Sequence, residues 1–104
     1  MAILTAIICT YNRSELLFIC LNSLLEQTVP ICDFNVLIVD NNSNDKTVEV
    51  AESFYGKINN LEIFTEHRQG LSYARNLGAN KSRTEWVAYL DDDAKATTNW
   101  IETI

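Results

Sequence analysis

Residues 3–13 read Ile-Leu-Thr-Ala-Ile-Ile-Cys-Thr-Tyr-Asn-Arg. From Ile3 to Cys9 the stretch is apolar and β-branched without polar alternation, the pattern of a strand covered on both faces. It stops abruptly at Thr10, Tyr11, Asn12 and Arg13, a polar group that contains no glycine. A strand buried on both sides implies a parallel sheet with helices above and below it, so helices and further strands should alternate along the rest of the chain.

They do. Leu17, Leu21 and Leu24, with Leu16 and Cys20, recur at helical spacing, and Ser14 with a glutamate just downstream suits a helix start that Asn12 or Ser14 would cap. A second apolar run covers Phe34 to Val39. Asp45 can cap a helix whose inner face carries Val48, Ala51, Phe54 and Tyr55, after which Gly56 to Asn60 turns the chain into a third strand, Leu61 to Thr65. Gly70 precedes a helix with Leu71, Ala74, Leu77 and Gly78 along one side. Trp86 to Leu90 then forms a fourth strand, ended by Asp91, Asp92 and Asp93, and Thr97 or Thr98 could cap one more helix from Trp100. The expected fold class is α/β: an open, mostly parallel sheet with alternating helices and right-handed crossovers.

A chain of 104 residues, 47% of them apolar, can bury one core and has little room for a second. The net charge of −6 disfavours a nucleic-acid partner, which would require clustered Lys and Arg against phosphates. Any phosphate ligand would therefore need local help from a helix N-terminus, a placed arginine or a carboxylate-bound cation. No window approaches the length of a membrane span and no basic leader precedes the first apolar run, so a cytosolic location is expected. Cys9, Cys20 and Cys32 lie in apolar stretches without CxxC spacing and are expected to be buried free thiols.

The polar clusters carry the function. Thr10–Arg13 follows strand one, Asp40–Asp45 strand two, Glu66–Gly70 strand three and Asp91–Asp93 strand four. In an open α/β sheet, ligands bind beyond the carboxyl ends of the strands, so four clusters in that position converge on one rim, although polar loops are also commonly just solvated. The missing glycines disfavour a dinucleotide site and exclude a P-loop. Tyr11 instead offers a flat face for a base, and Asp40 can accept a hydrogen bond from a base or ribose, or simply form an Asx turn with its neighbours. Arg75 can reach a base or diphosphate from its helix, or remain a solvated helical residue. His67 and Arg68 read as loop residues. Three adjacent carboxylates at Asp91–Asp93 repel one another unless a cation or donor cluster offsets them, which suits Mg²⁺ or Mn²⁺ held by one or two carboxylates and substrate phosphates.

In this order and spacing, AIICTYNR, LIVDNNSNDKT, GLSYARNLG and WVAYLDDDAKATTNWI resemble the family 2 glycosyltransferases of the GT-A fold, across essentially the whole chain. The resemblance implies an inverting transferase that moves a sugar from a nucleoside diphosphate, UDP by default with GDP and dTDP open, to a hydroxyl of a saccharide or lipid-linked saccharide. It places Cys9, Thr10 and Tyr11 around the nucleotide, with Asn12 and Asn42 in the flanking loops, and Arg13 near the phosphates. Asp40 would meet the base, Arg75 the base or diphosphate, and Asp92 the ribose. Asp93, with Asp91 in a DxD-type motif, would bind the metal.

The family's base lies on a later acidic motif, so residues 1–104 are expected to be the nucleotide-sugar-binding half of a longer enzyme, which when full length is expected to be peripheral to the inner face of the membrane. Competing classes fare worse. A receiver domain needs acids after strand one, and a sugar-nucleotide pyrophosphorylase needs a glycine-rich basic loop there. A non-catalytic nucleotide- or metal-binding module is the alternative, and a purely structural module predicts no nucleotide affinity.

Overall fold

A computed structural model describes residues 3–104. The elements are β1 (Leu4–Thr10), α1 (Ser14–Leu25), β2 (Asn35–Asp40), α2 (Thr47–Glu52), β3 (Leu61–Thr65), α3 (Leu71–Lys81) and β4 (Trp86–Asp91), with a single 3-10 turn, Ile31–Asp33, ahead of β2. The four strands form one parallel sheet in the order β3-β2-β1-β4. The order expected from sequence is therefore realised, and β1, flanked on both sides, is the strand that the apolar run of residues 3–9 demanded.

Several local expectations are corrected. β1, β2 and β4 each run one residue past their apolar stretch to take in Thr10, Asp40 and Asp91, because the ladder continues there: Thr10 pairs with Asp40, and Cys9 with Asp91. Neither Asn12 nor Ser14 caps α1. Asn12 instead ties two loops together, its N–H donating to Ser43 Oγ at 2.9 Å and its Oδ1 accepting from the Asn44 N–H at 2.9 Å. Nor is Asp45 the cap of α2: Lys46 holds that position without a side-chain bond, and Asp45 forms an Asx turn just ahead of the helix, accepting the Thr47 N–H at 2.9 Å. Tyr55 and Leu71, expected on inner helix faces, are exposed, and so is Cys32; Cys20 is buried and Cys9 half-buried.

No helix forms at Trp100. The backbone of that segment is engaged by the end of α1: Thr98 C=O accepts from Thr28 N–H, Thr97 C=O from Gln27 Nε2, and Ile101 N–H donates to Gln27 Oε1. Peptide groups committed sideways cannot also complete a helical ladder, and residues 97–104 settle into turns that bury Ala96 and Ile101.

The sheet separates two cores. On one face, α1 and α2 pack Leu17, Leu21, Leu24, Ala51 and Phe54 against Ile8, Val36 and Ile38. On the other, α3 sets Ala74 against Ile7, Leu37 and Val39. The approach is closest at Gly78, where an added Cβ would fall 2.7 Å from Ile7 Cγ2 and 3.3 Å from Val39 Cγ2. Helix α3 thus sits over β1 and β2 and leaves β4 largely uncovered on that face, where Val87 and Tyr89 are exposed and Tyr89 meets the helix at Arg75. Between β1 and β4 the chain reverses its direction of travel across the sheet, and that reversal is where an open α/β sheet leaves a crevice.

This seating can be tested with two glycines. Gly78→Ala is expected to lose up to about 2 kcal/mol, overpacking against Ile7 outweighing the gain of about 1 kcal/mol in helix propensity. Gly56→Ala, where a Cβ meets nothing within 4 Å, is expected to be neutral or slightly stabilising. Urea melts of both variants check this, and equal shifts would show that α3 does not rest on Ile7.

Candidate functional site

A cleft of about 510 Å³ opens at the carboxyl end of the sheet between β1 and β4. One wall is the start of α3, with Leu71, Ala74 and Arg75; the other is Tyr89 and the Asp91–Asp93 turn; Cys9, Thr10, Tyr11 and Arg13 form the floor and rim. Of the residues singled out from sequence, the fold gathers Cys9, Thr10, Tyr11, Arg13, Arg75, Asp91, Asp92 and Asp93 into this cleft. Asn12, Asp40 and Asn42 do not line it. Asn12 and Asn42 are exposed with left-handed φ of 50° and 66°, and Asp40, only 2% exposed, lies behind Asn41.

The acidic turn is asymmetric. Ala94 N–H donates to Asp91 C=O at 3.0 Å, and this tight turn sends Asp92 inward, 9% exposed, while Asp91 and Asp93 stay at the surface. Burial pushes the Asp92 carboxyl above the ordinary range, opposed by the Thr10 hydroxyl and the Arg13 guanidinium beside it. Arg13 also meets Asp93, Nη1 to Oδ2 at 3.0 Å, and lies 3.8 Å from Asp92 through Nε. The repulsion expected among three successive carboxylates is thus relieved here by an arginine. Among the described residues no group of three or more His, Cys, Asp or Glu side chains is arranged as a ligand set.

Among the described residues, two buried side-chain oxygens lack a hydrogen-bond partner, Thr10 Oγ1 and Asp40 Oδ1. Thr10 stands beside the Asp92 carboxylate that it steadies, and Asp40 spends its other oxygen on the Ser43 N–H at 3.0 Å. Both stand at the paired ends of β1 and β2.

Arg75 is steered by β4: its guanidinium lies over the Tyr89 ring at 5.3 Å, and Tyr89 Oη donates to the Arg75 carbonyl at 3.2 Å. The entrance is shaped by Asn41, whose Nδ2 donates to the carbonyls of Glu66 at 3.0 Å and Arg68 at 2.7 Å while its Oδ1 accepts the Gly70 N–H at 2.9 Å. Gly70 has φ 137°, a conformation that side-chain-bearing residues rarely adopt. Arg68 is held by Glu66, Nε to Oε1 at 2.6 Å, and covers the Tyr73 ring, so the loop residues His67 and Arg68 serve the loop itself or solvent. Sequence reading missed Asn41, Gln69 and Tyr89 in the cleft lining. Tyr89 could have been found from strand alternation, since Val87, Tyr89 and Asp91 share one face of β4.

The fold and site define an open parallel α/β domain with a polar cleft at its topological switch point, the arrangement of a GT-A nucleotide-binding half. Residues 5–104 match the Glycosyl transferase family 2, and the chain belongs to that family. It is 41% identical over 99 residues to the glycosyltransferase AglE of Haloferax volcanii, covering 94% of this chain and 33% of the relative. The structure of Staphylococcus aureus TarS 1-349 in complex with UDP superposes with a TM-score of 0.90 at 28% identity, over 99% of this chain and 30% of that one. A mannosyltransferase from Pyrobaculum calidifontis in complex with GDP-Man and Mn²⁺ matches with a TM-score of 0.81 at 28% identity, over 88% and 28%. The chain spans about a third of the length of these relatives. No helix among the described residues is long and apolar enough to cross a membrane.

The thiols report on the cleft. Burial pushes Cys9 up to about 11 and Cys20 up to about 12, so at pH 8 only about one Cys9 in a thousand is thiolate. Iodoacetamide at pH 8 is therefore expected to label exposed Cys32 first, with Cys9 reacting appreciably only as the pH climbs towards 11. Mass spectrometry of the timed reaction decides it, and Cys9 reacting as fast as Cys32 would contradict the packing described.

Proposed function

We propose that this chain is the donor-binding half of an inverting, metal-dependent glycosyltransferase that uses a nucleoside-diphosphate sugar, with UDP preferred, and an acceptor that is a saccharide or lipid-linked saccharide. The observation that carries the reading is the meeting of two arginines and three aspartates around one cleft at the switch point of a family 2 fold. The UDP and UDP-GlcNAc complexes of TarS support a uridine donor.

In this reading the nucleoside lies across Tyr11, with Asp92 towards the ribose. Thr10 Oγ1 offers a hydroxyl at the cleft floor, whereas Asp40, buried and outside the cleft lining, would meet a base N–H only after the rim around it gives way. Arg13 and Arg75 receive the diphosphate, where the bidentate guanidinium matches phosphate oxygens. The acidic turn suits a hard cation: Asp93 and Asp91 supply carboxylate oxygens at the surface, and in this structure a guanidinium already occupies the position beside Asp93 that a cation would take. With too few side chains for a closed shell, Mn²⁺ or Mg²⁺ would complete its coordination with phosphate oxygens and water. When bound, the metal would act as a Lewis acid, stabilising negative charge on the departing diphosphate.

Inversion requires a carboxylate base at the acceptor hydroxyl, on the side of the sugar away from the diphosphate. In this reading the cleft carboxylates serve the nucleotide and the metal, and the base is supplied from outside the cleft described here. The chain alone is accordingly expected to bind donor without transferring sugar, and robust transfer in a radiolabelled-donor assay would overturn that division of labour.

Calorimetry tests the binding. UDP is expected to bind more tightly with Mn²⁺ than in EDTA, and Asp93→Ala to remove the metal-dependent part while leaving weak metal-free binding. The absence of heat with UDP, GDP and dTDP alike in the presence of Mn²⁺ would refute the nucleotide-binding reading.

A further inference from the structure

The guanidinium of Arg13 occupies the mouth of the acidic turn, 3.0 Å from Asp93 and 3.8 Å from Asp92. Its backbone is fixed: the Arg13 N–H donates to Thr47 Oγ1 at 3.1 Å, and its carbonyl accepts the Leu17 N–H at 2.8 Å to open α1. The side chain itself is half exposed and makes no other hydrogen bond or ion pair among the described residues, so it can swing without disturbing the fold. A solvent-exposed ion pair of this kind is weak and easily exchanged. We propose that Arg13 is a cation placeholder, neutralising the acidic turn in the empty protein and transferring to the diphosphate when donor arrives, which frees Asp93 for the metal.

The inference rests on the donor-binding reading and adds a coupling to it. A metal ion arriving alone must displace Arg13 from Asp93 and then endure a positive charge beside it, which weakens its binding. A diphosphate removes that obstacle by taking the guanidinium in a bidentate grip. Each ligand therefore raises the other's affinity, and by thermodynamic reciprocity the factor is the same whichever binds first. An arginine that served only to hold the turn in shape would produce no such linkage.

Arg13→Gln distinguishes these roles, with Mn²⁺ alone and UDP in saturating Mn²⁺ as the probes. Free Mn²⁺ followed by electron paramagnetic resonance, and UDP binding followed by calorimetry, are read on protein shown by its melt to be folded. Arg13→Gln is expected to bind Mn²⁺ alone about two- to tenfold more tightly than the parent, and UDP more weakly. Arg13→Lys, which keeps the charge, should stay close to the parent for Mn²⁺. The placeholder is refuted if the parent binds UDP with Mn²⁺ while Arg13→Gln binds Mn²⁺ no more tightly, or if both affinities fall together as damage to the turn would cause. A parent that binds neither UDP nor Mn²⁺ would instead bring down the donor-binding reading, and the placeholder with it.

Discussion

The parallel register of the sheet is the constraint on which the rest depends. Because Thr10 pairs with Asp40, Asp40 with Thr65, and Cys9 with Asp91, all four strands end within a residue of the same level. The loops must leave from one rim, and their polar residues meet there whatever their separation in sequence. Arg13 and Asp93, 80 positions apart, touch for this reason. A slip of one residue in any strand would turn its side chains to the opposite face and break the assembly.

The rim solves an electrostatic problem that the whole chain makes worse. A protein with net charge −6 attracts a polyanion only where cations have been placed locally. Arg13 and Arg75 stand on opposite sides of the cleft, one kept beside the acidic turn and the other laid over Tyr89. Arg75 lies within α3 and Arg13 is the residue from which α1 starts, so both positions are tied to helices that begin at this rim. The buried oxygens Thr10 Oγ1 and Asp40 Oδ1 lie at the paired strand ends beneath the same rim.

Much of this was legible in the sequence because strands buried on both faces leave continuous apolar runs, and the runs located β1, β2 and β4 to within one residue. The acidic stop and TYNR were readable for the same reason: they interrupt those runs. What was not legible depends on partners distant in sequence. Asn12 looked like a helix cap because capping is the local use of an asparagine, yet its partners are Ser43 and Asn44 across the rim. The segment at Trp100 had a helix-like pattern, but Gln27 and Thr28 claimed its peptide groups. Asn41 lay inside the Asp40–Asp45 cluster but nothing singled it out, since its three side-chain hydrogen bonds go to a loop whose course is fixed only after folding. The Arg13 ion pair was equally hidden, although each of its members had been singled out separately.

The absence of a side chain at residue 78 has a consequence for how such a cleft can diversify. Helix α3 lies as low on the sheet as it does because Gly78 meets Ile7 without a methyl group between them, and the first turn of the same helix forms one wall of the cleft. The gap between that wall and β4 is therefore governed from beneath the helix, by a contact between the sheet and the middle of α3. The width of the opening and the polar chemistry along its rim are thus set largely by different residues, and a volume change among Ile7, Val39 and residue 78 would re-gauge the cleft while the polar rim side chains stayed unchanged.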